Sequence, residues 1–238
     1  MRFIQKPAAP PPSIATFLQN QLPVGVNLDY DQGFGRKEEL LHELTAQQYG
    51  LCAYTGAPID DRMANLQPPP SAQSRPRFLA HNEHLKPQSV CKKELIDGGK
   101  SLGRDLGDDM DYHNIVAALL VEGSDKEQFG AASRGNQLLP VWPTHPNCET
   151  RFMFARDGKI MGVGVDGVTT VDVLRLNHET LTGWWLATFD VFLDPRVIQT
   201  REDVEALIAR LDQPQNGRLV EYCFCIKNVA KSMLGSVK

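Results

Sequence analysis

Proline sets the first limit on what this chain can become. Prolines stand at 7, 10, 11, 12 and 23, in a row at 68, 69 and 70, and again at 140, 143 and 146. Each fixes φ and removes a backbone donor, which closes those stretches to helix interiors and central strands. Regular structure before about residue 150 is therefore expected in short pieces between proline-rich connections. Towards the C-terminus helical periodicity takes over.

Three regions follow. Residues 1–35 read as an extended Pro-rich arm, with Ile4, Ile14, Phe17, Leu18 and Val24 as apolar anchors. Such anchors favour an arm docked on a partner or on its own core over a free tail. The arm and the C-terminal helices are the segments expected to bind a larger partner. Residues 36–150 form the second region. It opens with a helix over 36–49, where Leu40, Leu41 and Leu44 recur at helical spacing and Gly50 ends the run. Gly56 and Pro58 mark a tight turn, and residues 60–76 read as an exposed loop. Phe78-Leu79-Ala80 is a short strand that delivers residues 81–84. Residues 88–110 read as a flexible basic insertion, equally weighted between phosphate contact and a solvated loop. Asn114 to Val121 is a buried strand or short helix.

The third region is 151–238. Its first part, through residue 173, suggests short antiparallel strands with hairpin turns at Asp157-Gly158 and Asp166-Gly167. Leu181, Trp185, Phe189 and Phe192 then make one helical stripe, with Asn177 as its N-cap. Val204, Leu207, Ile208 and Leu211 make a second, opened by a Thr200-x-x-Asp203 capping box. Leu219, Cys223, Ile226, Ala230 and Met233 make a third. Such stripes are core faces.

The net charge of −4 argues against a protein that coats nucleic acid by charge alone. Neither is there a helix-turn-helix signature, which sets aside a transcription factor. The five cysteines form no C-x-x-C pair. The N-terminus becomes proline-rich before any apolar run of signal length, and no run is long enough to cross a membrane. A cytoplasmic protein with reduced thiols is expected.

Chemistry concentrates in Ala80-His81-Asn82-Glu83-His84-Leu85-Lys86-Pro87-Gln88. Hydrolysis of a phosphodiester needs a base for water, a cation for the charge growing on phosphate, and stabilisation of the leaving oxygen. His84 is the candidate base, because an imidazole titrates near neutrality. Glu83 offers carboxylate oxygens suited to Mg²⁺ or Mn²⁺.

The pair Glu83-His84, followed by Asn114 at the head of an apolar run, resembles the HNH nucleases. The order of Met1-Arg2-Phe3-Ile4-Gln5-Lys6, Cys52-Ala53-Tyr54, Glu83-His84-Leu85-Lys86-Pro87, Tyr112-His113-Asn114, Gly135-Asn136 and Pro146-Asn147-Cys148-Glu149-Thr150-Arg151-Phe152 resembles the HNH subunit of Septu-type and retron-associated anti-phage systems. This resemblance covers roughly residues 1–185. It implies an α+β fold: an HNH-like ββα-metal core over 78–140, set in a mainly helical domain with a small antiparallel β region. It implies a metal-dependent endonuclease acting on DNA or RNA, such as a tRNA. His84 and Asn114 would be catalytic, with Asn114 orienting either the loop or His84. Glu83 would hold the metal, with Asn136, or His113 or His145 instead, replacing a missing final ligand. Lys86, Lys92, Lys93 and Arg134 are the candidate nucleic-acid contacts. The implied partners are an ABC/SMC-like ATPase subunit and, in retron versions, a reverse transcriptase and its msDNA. Where the family often has a zinc knuckle, Thr55 replaces the second Cys and residues 129–132 hold none, so no structural zinc is expected. The competing expectation is a catalytically degenerate adaptor that scaffolds a defence complex.

Overall fold

Two antiparallel strands run through the middle of the fold. β2 (Phe78–His84) pairs with β3 (Ile115–Leu119), Glu83 opposite Val116 and His84 opposite Ile115. A two-residue strand, β1 (Ile59–Asp60), joins β2 in parallel. The structure, a computed structural model, describes residues 1–60 and 78–235. The loop expected at 60–76 lies, from residue 61 on, outside the described residues.

All five residues of β3 are buried, so its outer edge has to find hydrogen bonds inside the protein. A side-chain amide supplies them. Gln48 Oε1 accepts from Ala117 N at 2.7 Å, and Gln48 Nε2 donates to Ala117 O at 2.8 Å. The loop after it completes the edge: Ala53 N donates to Ala117 O at 3.1 Å, and Leu119 N donates to Cys52 Sγ at 3.2 Å. Gln48 stands directly behind α2 (Lys37–Gln47), whose Leu40, Leu41 and Leu44 are buried at the expected spacing.

The arm is not extended throughout. Residues 12–21 form α1 (Pro12–Gln21), with Pro12 at the first helical position, where a missing N–H removes no hydrogen bond. Met1, Ile4, Ile14 and Phe17 are buried, whereas Val24 is exposed. Phe3 N donates to Glu149 Oε1 at 3.0 Å and Ile4 N to Pro143 O at 2.7 Å. Lys6 Nζ donates to Ile115 O and sits 4.1 Å from the Tyr112 ring centroid. The arm therefore completes the chain's own core, and its buried anchors are not presented to a partner.

The basic insertion is also more ordered than expected. It starts with α3 (Gln88–Asp97), directly after Pro87. A one-turn helix, α4 (Ala131–Arg134), follows β3.

In the third region β4 (Phe152–Phe154) and β5 (Ile160–Gly162) form the hairpin expected at Asp157-Gly158. No turn forms at Asp166-Gly167, because residues 164–173 are α5 (Gly164–Val173). Close approach explains the glycines: a Cβ on Gly162 would lie 2.1 Å from the Gly167 carbonyl carbon. The helical stripes become α6 (Glu179–Phe192), α7 (Arg201–Leu211) and α8 (Cys223–Met233). The capping box at Thr200 and Asp203 forms. The cap of α6 falls one residue later than expected, at His178. Asn177 instead bonds both Ile160 N and Ile160 O at 2.9 Å, tying the start of α6 to β5. The fold is α+β, and no described helix is long and apolar enough to cross a membrane.

Trp185 of α6 is fully buried, and its Nε1 donates to Thr55 O at 3.3 Å. Phe154 meets it edge-on at 5.0 Å, and Phe224 of α8 lies 5.8 Å beyond. Gly56 lies under this stack with φ +73°, and a Cβ there would stand 2.4 Å from Phe224 Cε1. Gly25 shares the positive φ, +67°, with nothing within 4 Å of its Cβ direction. Gly25→Ala should cost only the left-handed backbone term, roughly 1–2 kcal/mol. Gly56→Ala should add an overpacking term of roughly 1–3 kcal/mol. Urea denaturation of the two variants measures the difference directly.

Candidate active site

Successive side chains of a strand point to opposite faces. Glu83 and His84, adjacent in sequence, are therefore presented to different surroundings.

Glu83 shares its face with His81. Arg134 Nη2 lies 3.0 Å from Glu83 Oε1, Tyr54 Oη donates to the same oxygen at 3.4 Å, and His81 Nε2 lies 3.4 Å from Glu83 Oε2. Arg134 is buried and uses its whole fork. Nη2 donates to His84 O at 2.7 Å, while Nη1 donates to Leu85 O at 3.0 Å and to Tyr54 Oη at 3.2 Å. Burial, reinforced by the Glu83 charge, pushes the Tyr54 phenol well above its usual pKa, so it stays a neutral donor.

His84 faces the other way and is buried. Its Nε2 lies 2.9 Å from Asp109 O. A carbonyl only accepts, so Nε2 carries the proton and, in the neutral ring, Nδ1 holds the lone pair. Burial lowers the His84 pKa from its ordinary value, against the pull of the Asp109 carbonyl and the Glu83 charge, which favours that neutral ring. Gln88 Nε2 lies 3.3 Å from Nδ1. Turned over, the same amide donates to Asp31 Oδ1 at 2.8 Å, and Nδ1 then has to carry a proton. The Tyr30 ring meets the imidazole edge-on, with centroids 4.5 Å apart.

Asn114 stands at the head of β3, as expected, and its amide is saturated. Oδ1 accepts from Lys86 N at 2.6 Å, and Nδ2 donates to Lys86 O at 3.1 Å and to Asp108 O at 3.0 Å. It clamps the chain leaving β2 to the turn whose next carbonyl, that of Asp109, holds His84.

The remaining candidates are dispersed. Lys86 Nζ is held by Asp108 and, at 2.7 Å, by Glu94 Oε2, which raises its pKa. Lys92 pairs with Asp31. Lys93 and Asn136 are exposed. His113 is exposed too, with Nδ1 3.3 Å from Asp111 Oδ1. Arg134, expected on a phosphate, has its guanidinium buried on Glu83 and two carbonyls instead. Cys52 is buried as an acceptor for Leu119 N.

A divalent cation does not fit Glu83 as it is arranged. One carboxylate oxygen carries a guanidinium and the other faces His81, and a neighbouring fixed positive charge opposes a second cation. Among the described residues no three His, Cys, Asp or Glu side chains gather around a common metal position.

Sequence reasoning missed Tyr54, Gln88, Asp109, Tyr30 and Asp31. Only Gln88 carried a signal, four residues after His84 at the start of a helix.

Arg134→Ala would leave Glu83 as a largely buried, uncompensated charge, at an expected cost of roughly 3–5 kcal/mol. Arg134→Lys keeps the charge but loses the planar fork that reaches Glu83 and both carbonyls. It should fall between wild type and Arg134→Ala in urea denaturation. If Arg134→Lys matches wild type, charge alone is what this position needs.

No family model matches this chain and no curated protein matches it, and its chemistry rests on the geometry of these side chains.

Proposed function

We propose that the chain is an HNH-type endonuclease that hydrolyses phosphodiester bonds of DNA or RNA with His84 as general base. The observation that carries this reading is the hold of the Asp109 carbonyl on His84. Its Nε2–H is held on Asp109 O at the end of β2, which leaves Nδ1 to accept a proton when the Gln88 amide turns its NH₂ towards the ring. Asn114 supports the same reading by clamping the turn that supplies the carbonyl. β2 and β3 pair antiparallel and α4 follows, a strand, strand, helix succession that supports the resemblance, with α3 inserted between the two strands.

In this mechanism His84 Nδ1 takes a proton from water as the water oxygen attacks phosphorus. The bond to the leaving oxygen breaks, and that oxygen takes up a proton. Lys92 and Lys37, both in contact with Asp31, would supply positive charge to a phosphate bound there. The resemblance adds a Mg²⁺ or Mn²⁺ requirement, which Glu83 meets only if Arg134 withdraws. It also supports a place beside an ABC/SMC-like ATPase in an anti-phage system, with a reverse transcriptase and msDNA in retron versions.

One observation favours a second reading, an adaptor without catalysis. The Glu83–Arg134 pair fills the position where a ββα-metal nuclease needs an open carboxylate.

Incubation with DNA and total RNA, with and without Mg²⁺ or Mn²⁺, separates the two. The nuclease reading expects cleavage that His84→Ala lowers by about 10²–10⁴-fold. Asn114→Ala should lower it less. The rate should rise with pH through a midpoint below about 6.5, because burial lowers the His84 pKa and only the neutral ring accepts a proton. Folding stability should fall as pH drops below that value, since the unfolded chain then binds the proton that folded His84 resists. Cleavage unchanged by His84→Ala would overturn the assignment. No cleavage in any condition, with retained binding to an ATPase partner, would favour the adaptor.

A further inference from the structure

His84 is covered, and what covers it is a specific piece of the arm. Residues 29–34 form a tight turn: Gln32 N donates to Asp29 Oδ1 at 2.7 Å, and Phe34 N donates to Asp29 O at 3.0 Å. Gly33 is required there, since a Cβ would lie 1.7 Å from Asn27 O. The turn is attached around His84 at several points. Tyr30 puts its ring against the imidazole, and Tyr30 N donates to Asp109 Oδ2 at 2.9 Å, on the residue whose carbonyl fixes His84. Leu28 N donates to Gly103 O at 3.0 Å. Asp31 pairs with Lys92, Lys37 Nζ donates to Asp31 O at 2.9 Å, and the Gln88 amide lies between Asp31 and His84 Nδ1.

We propose that this turn is a built-in plug: the Asp31 carboxylate occupies the anion position beside His84 Nδ1, and a backbone phosphate of the substrate has to displace it. The proposal rests on the nuclease reading and adds its regulation. With the Gln88 amide turned to Asp31, Nδ1 carries a proton and cannot act as base, so a phosphate that displaces Asp31 also lets the amide turn back and frees Nδ1. The contact is of an exchangeable kind. Asp31 and Lys92 side chains are 42% and 33% exposed, and ion pairs of that exposure are weak. The backbone of the turn is anchored, with Leu28, Tyr30 and Phe34 buried, so it is the Asp31 side chain that gives way.

The test reads His84 directly. Diethyl pyrocarbonate modification of His84, resolved by mass spectrometry of the peptides, is measured in the full chain, with cleavage of DNA and total RNA followed in parallel. Asp31→Ala is expected to speed modification of His84 by about threefold to fivefold, the shift that loss of one half-exposed ion pair allows. The charge-exchanged variant carrying both Asp31→Lys and Lys92→Asp is expected to return it towards the wild-type rate. Lys37→Ala, which releases the turn from the Asp31 carbonyl, is the second opening variant if Asp31→Ala loses its cooperative unfolding transition. Faster modification in the opened variants, together with cleavage that rises in Asp31→Ala and disappears when His84→Ala is added, supports both the plug and the nuclease. Faster modification without cleavage in any variant supports the plug as a cover and removes the nuclease reading. Unchanged modification of His84 in Asp31→Ala and Lys37→Ala overturns the plug, whatever the cleavage assay shows.

Discussion

The guanidinium of Arg134 joins three segments that are far apart in the chain. It takes the carbonyls of His84 and Leu85 at the end of β2, the Tyr54 hydroxyl from the loop on the edge of β3, and the Glu83 carboxylate. Removing the guanidinium would take a charge or hydrogen-bond partner from each of these groups, which is costly in a low-dielectric interior. α4 is only one turn long and has little packing surface of its own. The fork of Arg134 is what fixes that turn to the sheet.

From that anchor the division of labour on β2 follows. The strand's two-residue period sends Glu83 towards Arg134 and His84 towards Asp109, Gln88 and Tyr30. One face becomes a neutralised, structural cluster of acid, guanidinium and phenol. The other keeps an imidazole whose Nε2 is fixed on the Asp109 carbonyl. Asn114 links them mechanically, because its clamp on Lys86 holds the exit of β2 and its bond to Asp108 O holds the turn behind His84.

The N-terminal arm belongs to the same construction. Its first eighteen residues contribute Met1, Ile4, Ile14 and Phe17 to the core, and α1 is tied to α2 where Glu43 accepts from Ser13 N at 3.1 Å. After the exposed stretch around Val24 the chain returns to cover His84 with Tyr30 and Asp31. The proline-rich segment thus contributes a structural part at the start of the chain and a cover over His84, itself anchored by buried Leu28, Tyr30 and Phe34.

Local pattern determined a good deal of this protein. The leucine spacing of α2, the Thr200–Asp203 cap of α7, the Asp157-Gly158 hairpin and the strand leading into His84 all lie in the sequence, because each depends on neighbours within a few residues. So did the singling out of Glu83, His84 and Asn114. Local pattern failed where packing supplied the reason. Asp166-Gly167 looked like a hairpin turn, but Gly162 and Gly167 serve the contact of α5 with β5, and Pro12 looked like a helix breaker but starts a helix. The surroundings of the site were decided by tertiary structure alone. Arg134 meets Tyr54 across 80 positions, Tyr30 meets Asp109 across 79, and Asp31 meets Lys92 across 61. Periodicity and capping act over a turn or a strand pair. Which acid is neutralised, which imidazole nitrogen stays free and what covers it depend on desolvation and on charges brought together only when the chain has folded.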